Sequence, residues 1–314
     1  MPGRIVTLTL NPSVDVACDA EAVRPIRKTR TFIKALDPGG GGVNVSRVVQ
    51  ELGGDTLAVV TVGSGAAGSF LVELLAAAGV PHRAVPVRGR TRITQVVQDL
   101  SSGLEYRFVP EGPALEEAEW RGALAALAEE PGGWVVLSGS LPRGVPDDTW
   151  ARAIQEARAS GRKVVLDSSG PALRAALEAG GGVELVKPSQ GEFEALLGRE
   201  LREAHTIAAA AAALARSGAA RLVAVTLGHR GAVLASAERS WRLPAPDVPV
   251  RGASGAGDSF IAAMTLALAR GAAPEDAFAW GSAAGGATVA ASGTAHARRA
   301  EVEALHAEMR RHLA

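Results

Sequence analysis

Cysteine is almost absent from this 314-residue chain. Cys18 stands alone, which excludes an internal disulfide and fits a reducing compartment. Net charge is absent too: 33 basic residues balance 33 acidic ones, removing the usual electrostatic motive for binding nucleic acid or an anionic membrane surface. No stretch is apolar for long enough to span a membrane, and the opening M-P-G-R-I-V-T-L-T-L is too short an apolar run for a signal peptide. We therefore expect a cytoplasmic protein with no nucleic-acid and no membrane partner. A G-x-x-x-x-G-K-S/T loop is missing, which excludes a Walker-type nucleotide hydrolase. None of the 6 histidines stands at a metal-ligand spacing, so they read as surface or helix-face residues. Aromatics make up only 4% of the chain beside abundant Ala, Gly and Arg, a composition that gives the Ala-rich helices no special meaning.

What is present is apolar material, 47% of the residues, enough for one large α/β domain with insertions or for two domains. The run Ile5–Leu10 reads as a buried first strand. Further strands are expected at Thr56–Val62, Trp134–Ser138, Lys163–Asp167, Val183–Lys187 and Arg221–Leu227, with helices between them. That alternation predicts an α/β fold, a doubly wound and mainly parallel sheet flanked by helices. It breaks at Arg83–Val87, Ile93–Asp99 and Glu105–Val109, three strands without intervening helices. Together with the polar stretch 13–36 they predict a small β-sheet lid. The lid is thus assigned 13–36 and 83–110, and the main domain 1–12, 37–82 and 111–314.

Two glycine-rich stretches precede helices. Asp37-Pro38-Gly39-Gly40-Gly41-Gly42-Val43-Asn44 leads into a helix expected over Val45–Leu52, and four consecutive glycines suggest close approach of a ligand to the backbone. Val250–Phe260 reads V-R-G-A-S-G-A-G-D-S-F and leads into the apolar run Ser259–Ala269. There a helix N-terminus offers free N–H groups to an anion, while Asp258 stands beside them. An acidic residue in a first helical turn commonly serves as a cap. A catalytic role requires a nearby anion and a hydroxyl to deprotonate. A third stretch, Gly63–Gly68, matches G-x-G-x-x-G, but Arg83 and Arg88 stand where a dinucleotide site needs an acidic residue.

Small, polar or charged groups sit at the carboxyl ends of the expected strands: Asn11 and Asp15, Ser138-Gly139-Ser140, Asp167, Lys187-Pro188-Ser189 and Thr226-Leu227-Gly228. Open α/β sheets bind ligands there. A sugar phosphate would find hydroxyl partners in Asp15 and Asn44, backbone in Gly40 and Gly41, a polar contact in Ser140, and cations in Lys28, Arg30 and Arg92. A nucleotide would meet Lys187, Ser189, Thr226, Gly228, Gly231, Ser254 and Gly257, with Glu192 placing a metal through water. Phosphoryl transfer fits this set. Asp258 would act as base, and the loop Gly255-Ala256-Gly257 would hold the transferring charge.

In sequence order, N-P-S-V-D, the glycine block ending G-V-N, S-G-S-L-P, D-S-S, L-V-K-P, L-G-x-x-G and G-A-G-D resemble the PfkB-type (ribokinase-like) sugar kinases across nearly the whole chain. The resemblance is to their phosphofructokinase and tagatose-phosphate kinase branch, most like the minor bacterial 6-phosphofructokinases. It implies ATP and Mg²⁺ as cofactors, with a monovalent cation left open, the base role at Asp258, and a homodimer formed through the lid sheet. Fructose 6-phosphate, phosphorylated at its 1-hydroxyl, is the expected acceptor. The alternatives are 1-phosphofructokinase, tagatose-6-phosphate kinase and a catalytically weakened nucleotide or sugar-phosphate sensor. Two departures bear on the last of these. Ser189 stands where the family carries Asn in K-P-N-x-x-E, and Ala253-Ser254 precede the G-A-G-D loop.

Overall fold

The computed structural model describes residues 3–179, 181–252, 254–291 and 296–313. Ala253, one of the two departures, lies outside the described residues. The chain opens with β1 (Ile5–Thr9), β2 (Ser13–Ala20), β3 (Thr31–Gly39), α1 (Gly41–Glu51), β4 (Thr56–Gly63), α2 (Ala66–Ala77), β5 (His82–Val87), β6 (Arg92–Asp99) and β7 (Glu105–Phe108). It continues with α3 (Glu117–Glu129), β8 (Trp134–Ser138), α4 (Thr149–Ala159), β9 (Lys163–Asp167), α5 (Gly170–Glu178), β10 (Val183–Val186), α6 (Gln190–Leu197) and α7 (Ala204–Arg216). Last come β11 (Ala220–Thr226), β12 (Ala232–Ala235), β13 (Ser240–Leu243), α8 (Ala256–Ala269), α9 (Pro274–Ala290) and α10 (Arg299–Arg311).

Nine strands form one sheet in the order β13-β12-β11-β10-β9-β8-β1-β4-β5, and four form a smaller one in the order β3-β2-β6-β7. The large sheet is parallel from β11 to β5, with β12 and β13 antiparallel at one edge, as the alternating pattern predicts. Strand alternation splits the core in two. Val6 and Leu8 of β1 and Val135 and Leu137 of β8 face the layer of α3 to α7, whereas Ile5, Trp134 and Val136 face α1, α8, α9 and α10. Successive strands run outward from β1 in both directions. The crevice beyond the carboxyl ends of β1 and β8 is therefore the topological switch point, where such sheets receive ligands.

Three boundaries differ from the sequence expectation. Arg83–Val87, expected among the lid strands, belongs to β5 and pairs in parallel with β4 from Ala58↔His82 to Gly63↔Val87. It closes a βαβ unit with α2, which returns the chain to the same sheet. β3 continues through Asp37, Pro38 and Gly39; Pro38 is tolerated because β3 is an edge strand that owes no N–H to a further neighbour. α1 starts at Gly41 rather than Val45, so Gly41 and Gly42 lie inside its first turn.

The G-x-G-x-x-G stretch is explained by packing. A Cβ on Gly68 would overlap the Gly63 carbonyl, and one on Gly63 would overlap the main chain of 89–91. Arg83 is taken up by ion pairs with Glu129 and Glu130. Among the described residues, no helix is long and apolar enough to cross a membrane.

Candidate active site

Gly255 adopts a left-handed φ of 75° and turns the chain into α8, whose first amides belong to Ala256, Gly257 and Asp258. Among the described residues no side chain caps this terminus, so its N–H groups remain available to an anion. Asp258 accepts a 2.8 Å hydrogen bond from Asn44 Nδ2 of α1. Burial pushes its carboxyl up to about 7, the nearby Asp167 carboxylate adds to the rise, and Asn44 and Lys187 oppose it. A carboxylate with that pKa is matched to taking a proton near neutral pH.

α1 reaches the site because its glycines let it dock tightly. A Cβ on Gly41 would overlap the Ser138 hydroxyl, and one on Gly42 would overlap Thr9 Oγ1. The glycine block is thus required first by the protein's own β1 and β8, and access for a ligand follows from the helix terminus. Gly40, with φ at 113°, caps α1, and the Val43 amide donates to Thr9 Oγ1 at 3.1 Å. Asp15 lies near the start of β2 and accepts from Ser13 Oγ at 2.5 Å. Burial raises its pKa, while the Ser13 bond and the Arg92 charge pull it back. Arg92, opposite Ser13 on β6, donates to the carbonyls of Asn11 at 2.9 Å and Pro110 at 3.2 Å. Ser140 Oγ accepts from Asn11 Nδ2 at 3.1 Å.

On the other side of Asp258, Lys187 is only 5% exposed and pairs with Asp167 at 3.1 Å. Desolvation disfavours its charge, but Asp167, Glu192 and Asp258 together hold its pKa above the ordinary value, so the ammonium persists. A Cβ on Gly257 would lie 3.3 Å from Lys187 Nζ, which sets the cation directly beneath the α8 terminus. From Ala256 and Gly257 a cleft of about 610 Å³ extends past Thr226, Gly228 and Gly231 to Pro246, Phe260 and Ser282. Gly231 is needed for packing, since a Cβ there would overlap the Leu243 carbonyl, whereas Gly228 faces open space. An apolar slot that opens onto a helix N-terminus and a buried lysine fits a nucleotide, base inside and phosphates at the loop.

Not every expected residue arrives. Lys28 and Arg30 are exposed in the loop between β2 and β3, at the end of the hairpin remote from Asp15. At about 3.3 Å per strand residue, Asp15 to Ala20 alone spans roughly 17 Å, so they do not join Arg92 within this chain. Ser189 and Glu192 form a capping box on α6, with the Ser189 amide donating to Glu192 Oε2 at 2.7 Å. Serine caps a helix as well as the asparagine usual in the family, so this departure leaves α6 intact. Only the second Glu192 oxygen remains for a metal-bound water, and no group of three or more His, Cys, Asp or Glu among the described residues could hold a metal. Ser254 stands in the turn before Gly255. Sequence reasoning missed His296, whose two buried ring nitrogens have no partner among the described residues and which lies beside Gly255. Burial and the Arg47 charge depress its pKa to about 3, so it is neutral. No motif surrounds it, and only the fold brings it to the loop.

The α8 terminus with Asp258, set between Asn44 on one side and a nucleotide-sized cleft on the other, fits the site of a carbohydrate kinase. The pattern of the pfkB family carbohydrate kinases matches residues 13–300, and the chain belongs to that family. It is 40% identical over 309 residues to the ATP-dependent 6-phosphofructokinase isozyme 2 of Escherichia coli, covering 98% of this chain and 99% of that one. The 1-phosphofructokinase of Xanthomonas campestris is 33% identical over 267 residues, 84% of this chain and 83% of its own. The crystal structure of E. coli phosphofructokinase-2 with fructose-6-phosphate superposes with a TM-score of 0.91 at 39% identity, covering 98% of this chain and 99% of that one. That with potassium superposes at 0.93 with the same identity and coverage.

Proposed function

We propose that this enzyme transfers the terminal phosphoryl group of ATP to the 1-hydroxyl of fructose 6-phosphate, giving fructose 1,6-bisphosphate. The observation that carries the reading is the position of Asp258: hydrogen-bonded to Asn44 on the sugar side, at the free N-terminus of α8, with a pKa near 7. Asp15 and Asn44 orient the sugar hydroxyls, and Arg92 and Ser140 hold the phosphate already on the sugar. Asp258 takes the proton of the 1-hydroxyl as that oxygen attacks. The amides of Ala256 and Gly257, with Lys187, stabilise the charge that builds on the transferring group. ATP, when bound with Mg²⁺, supplies the phosphoryl group. Glu192 would help to hold the Mg²⁺ that arrives with ATP through a bound water, and the ion would supply charge neutralisation on the phosphates. The crystal structure of the E. coli relative with potassium supports a monovalent cation as a further cofactor.

The small sheet acts as the lid, and the enzyme works in the cytoplasm as a homodimer through it. Support comes from the surface: all the exposed large apolar side chains except Val250 lie between 26 and 36 or between 93 and 109, among them Phe32, Ile33, Ile93 and Phe108. A patch of that kind marks an interface. In such a dimer, Lys28 and Arg30 at the hairpin tip would serve the neighbouring copy's sugar site.

ADP release measured with fructose 6-phosphate, fructose 1-phosphate and tagatose 6-phosphate tests the reading. Preference for fructose 6-phosphate supports it. Preference for either of the others assigns the neighbouring activity, and tight ATP binding without turnover on any acceptor assigns a sensor.

A further inference from the structure

Asn11 follows β1 at the switch point and is only 9% exposed. Its side-chain Nδ2 donates to Ser140 Oγ at 3.1 Å, and its main-chain carbonyl accepts from Arg92 Nη2 at 2.9 Å. One residue therefore touches both groups assigned to the sugar's phosphate, one from the loop after β8 and one from the first residue of β6. Its Oδ1 is buried without a partner among the described residues and packs on Gly112 so closely that a Cβ at 112 would overlap it. A buried amide with an unsatisfied oxygen is less favourable than an apolar side chain of similar size, so packing alone does not account for asparagine here.

The polarity of the contact supplies an account. An amide nitrogen only donates, so Ser140 Oγ must accept from Asn11, and the hydroxyl hydrogen is left for another acceptor. Ser140 is exposed and stands two residues past the carboxyl end of β8, where that acceptor would be an oxygen of the sugar phosphate. Were Ser140 unpaired, its hydroxyl could rotate and offer a lone pair to the anion instead.

We propose that Asn11 is the positioning residue of the sugar-phosphate subsite, orienting the Ser140 hydroxyl as a donor and tying Arg92 to the same frame. The proposal rests on the kinase reading above, with the phosphate held between Ser140 and Arg92.

Initial-rate kinetics of the full-length enzyme test it. In Asn11→Ala the KM for fructose 6-phosphate rises about tenfold, as expected for a lost charge-assisted hydrogen bond, while kcat and the KM for ATP stay within about twofold. The isosteric Asn11→Asp, which keeps the packing but can only accept, raises that KM further. In a Ser140→Ala background Asn11→Ala adds nothing, because the bond it acts through is gone. An unchanged KM in both Asn11 variants, additive effects in the double mutant, or equal losses for ATP and sugar phosphate would overturn the proposal. Should Asn11→Ala not fold, the Asn11→Asp measurement decides alone. A wild-type enzyme inactive with every sugar phosphate would sink the kinase reading instead. Sugar-phosphate activity that depends on Arg92 but not on Asn11 would sink only this inference.

Discussion

Asn44 Nδ2 and Asp258 Oδ2 are 2.8 Å apart although 214 residues separate them, so one hydrogen bond ties the first turn of α1 to the first turn of α8. Two helix N-termini, from the two ends of the sequence, are thereby aimed at the same few ångströms of the crevice. The bond fixes the two side chains relative to each other.

Removing the base tests its role most directly. Asp258→Asn keeps the shape and a carbonyl to accept from Asn44, but cannot take a proton, so kcat falls about 10²–10⁴-fold with the fold intact by circular dichroism. In the wild type, kcat declines as pH drops below about 7, where Asp258 takes up its proton. A variant with near-normal kcat would refute the assignment.

The same carboxyl affects stability with a definite sign. Its pKa is raised from 3.8 to about 7 on folding, so the unfolded chain ionises first. The protonated form's stabilisation is complete below pH 3.8 and is lost as pH rises to about 7. Asp258→Asn has no such loss. Its melting temperature therefore gains on that of the wild type from pH 5 to 7 and holds a constant lead above, readable by calorimetry across that range.

Arg92→Ala separates the two ligands. The KM for fructose 6-phosphate rises at least tenfold, the scale of a lost charge-assisted contact, and the KM for ATP barely moves. Equal changes in both would remove Arg92 from the phosphate subsite.

Phe32 is 64% exposed on the edge strand β3. Phe32→Glu places charge in the proposed interface and should yield monomers in analytical ultracentrifugation, with a raised KM for the sugar phosphate if the neighbouring lid contributes. A wild type already monomeric at assay concentrations would remove the lid interface.

Gly68→Ala probes the glycine stretch that mimics a dinucleotide fingerprint. Its Cβ meets the Gly63 carbonyl, so the variant should melt several degrees lower while both KM values stay put. A selective loss of ATP affinity would give that turn a role in ligand binding.

Much of this architecture is legible from periodicity. β8 and β9 fall on the expected Trp134–Ser138 and Lys163–Asp167, because a strand buried on both faces leaves an uninterrupted apolar centre. Asp258 and Lys187 also stand out in the sequence as candidates, since each lies at the end of an element in a distinctive local pattern. Contacts between distant segments were not. Nothing near Arg83 says that β5 returns to the large sheet, because that depends on the crossover through α2. Nothing near Lys28 and Arg30 says that the hairpin register carries them away from Arg92 of the same chain. Asn11, flanked by a strand and a proline, reads as a turn residue, and its grip on Ser140 exists only once β1 and β8 lie side by side.

The small sheet has one more consequence. Its central strands, β2 and β6, pair in parallel from Ser13↔Arg92 onward, and α1, β4, α2 and β5 all intervene in the chain. The loop must close before that pairing can form, at an entropic cost that the β4–α2–β5 unit reduces by bringing its ends together. Until β6 is made, β2 lacks one of its two partners in the small sheet, and an unpaired strand edge of that kind favours aggregation.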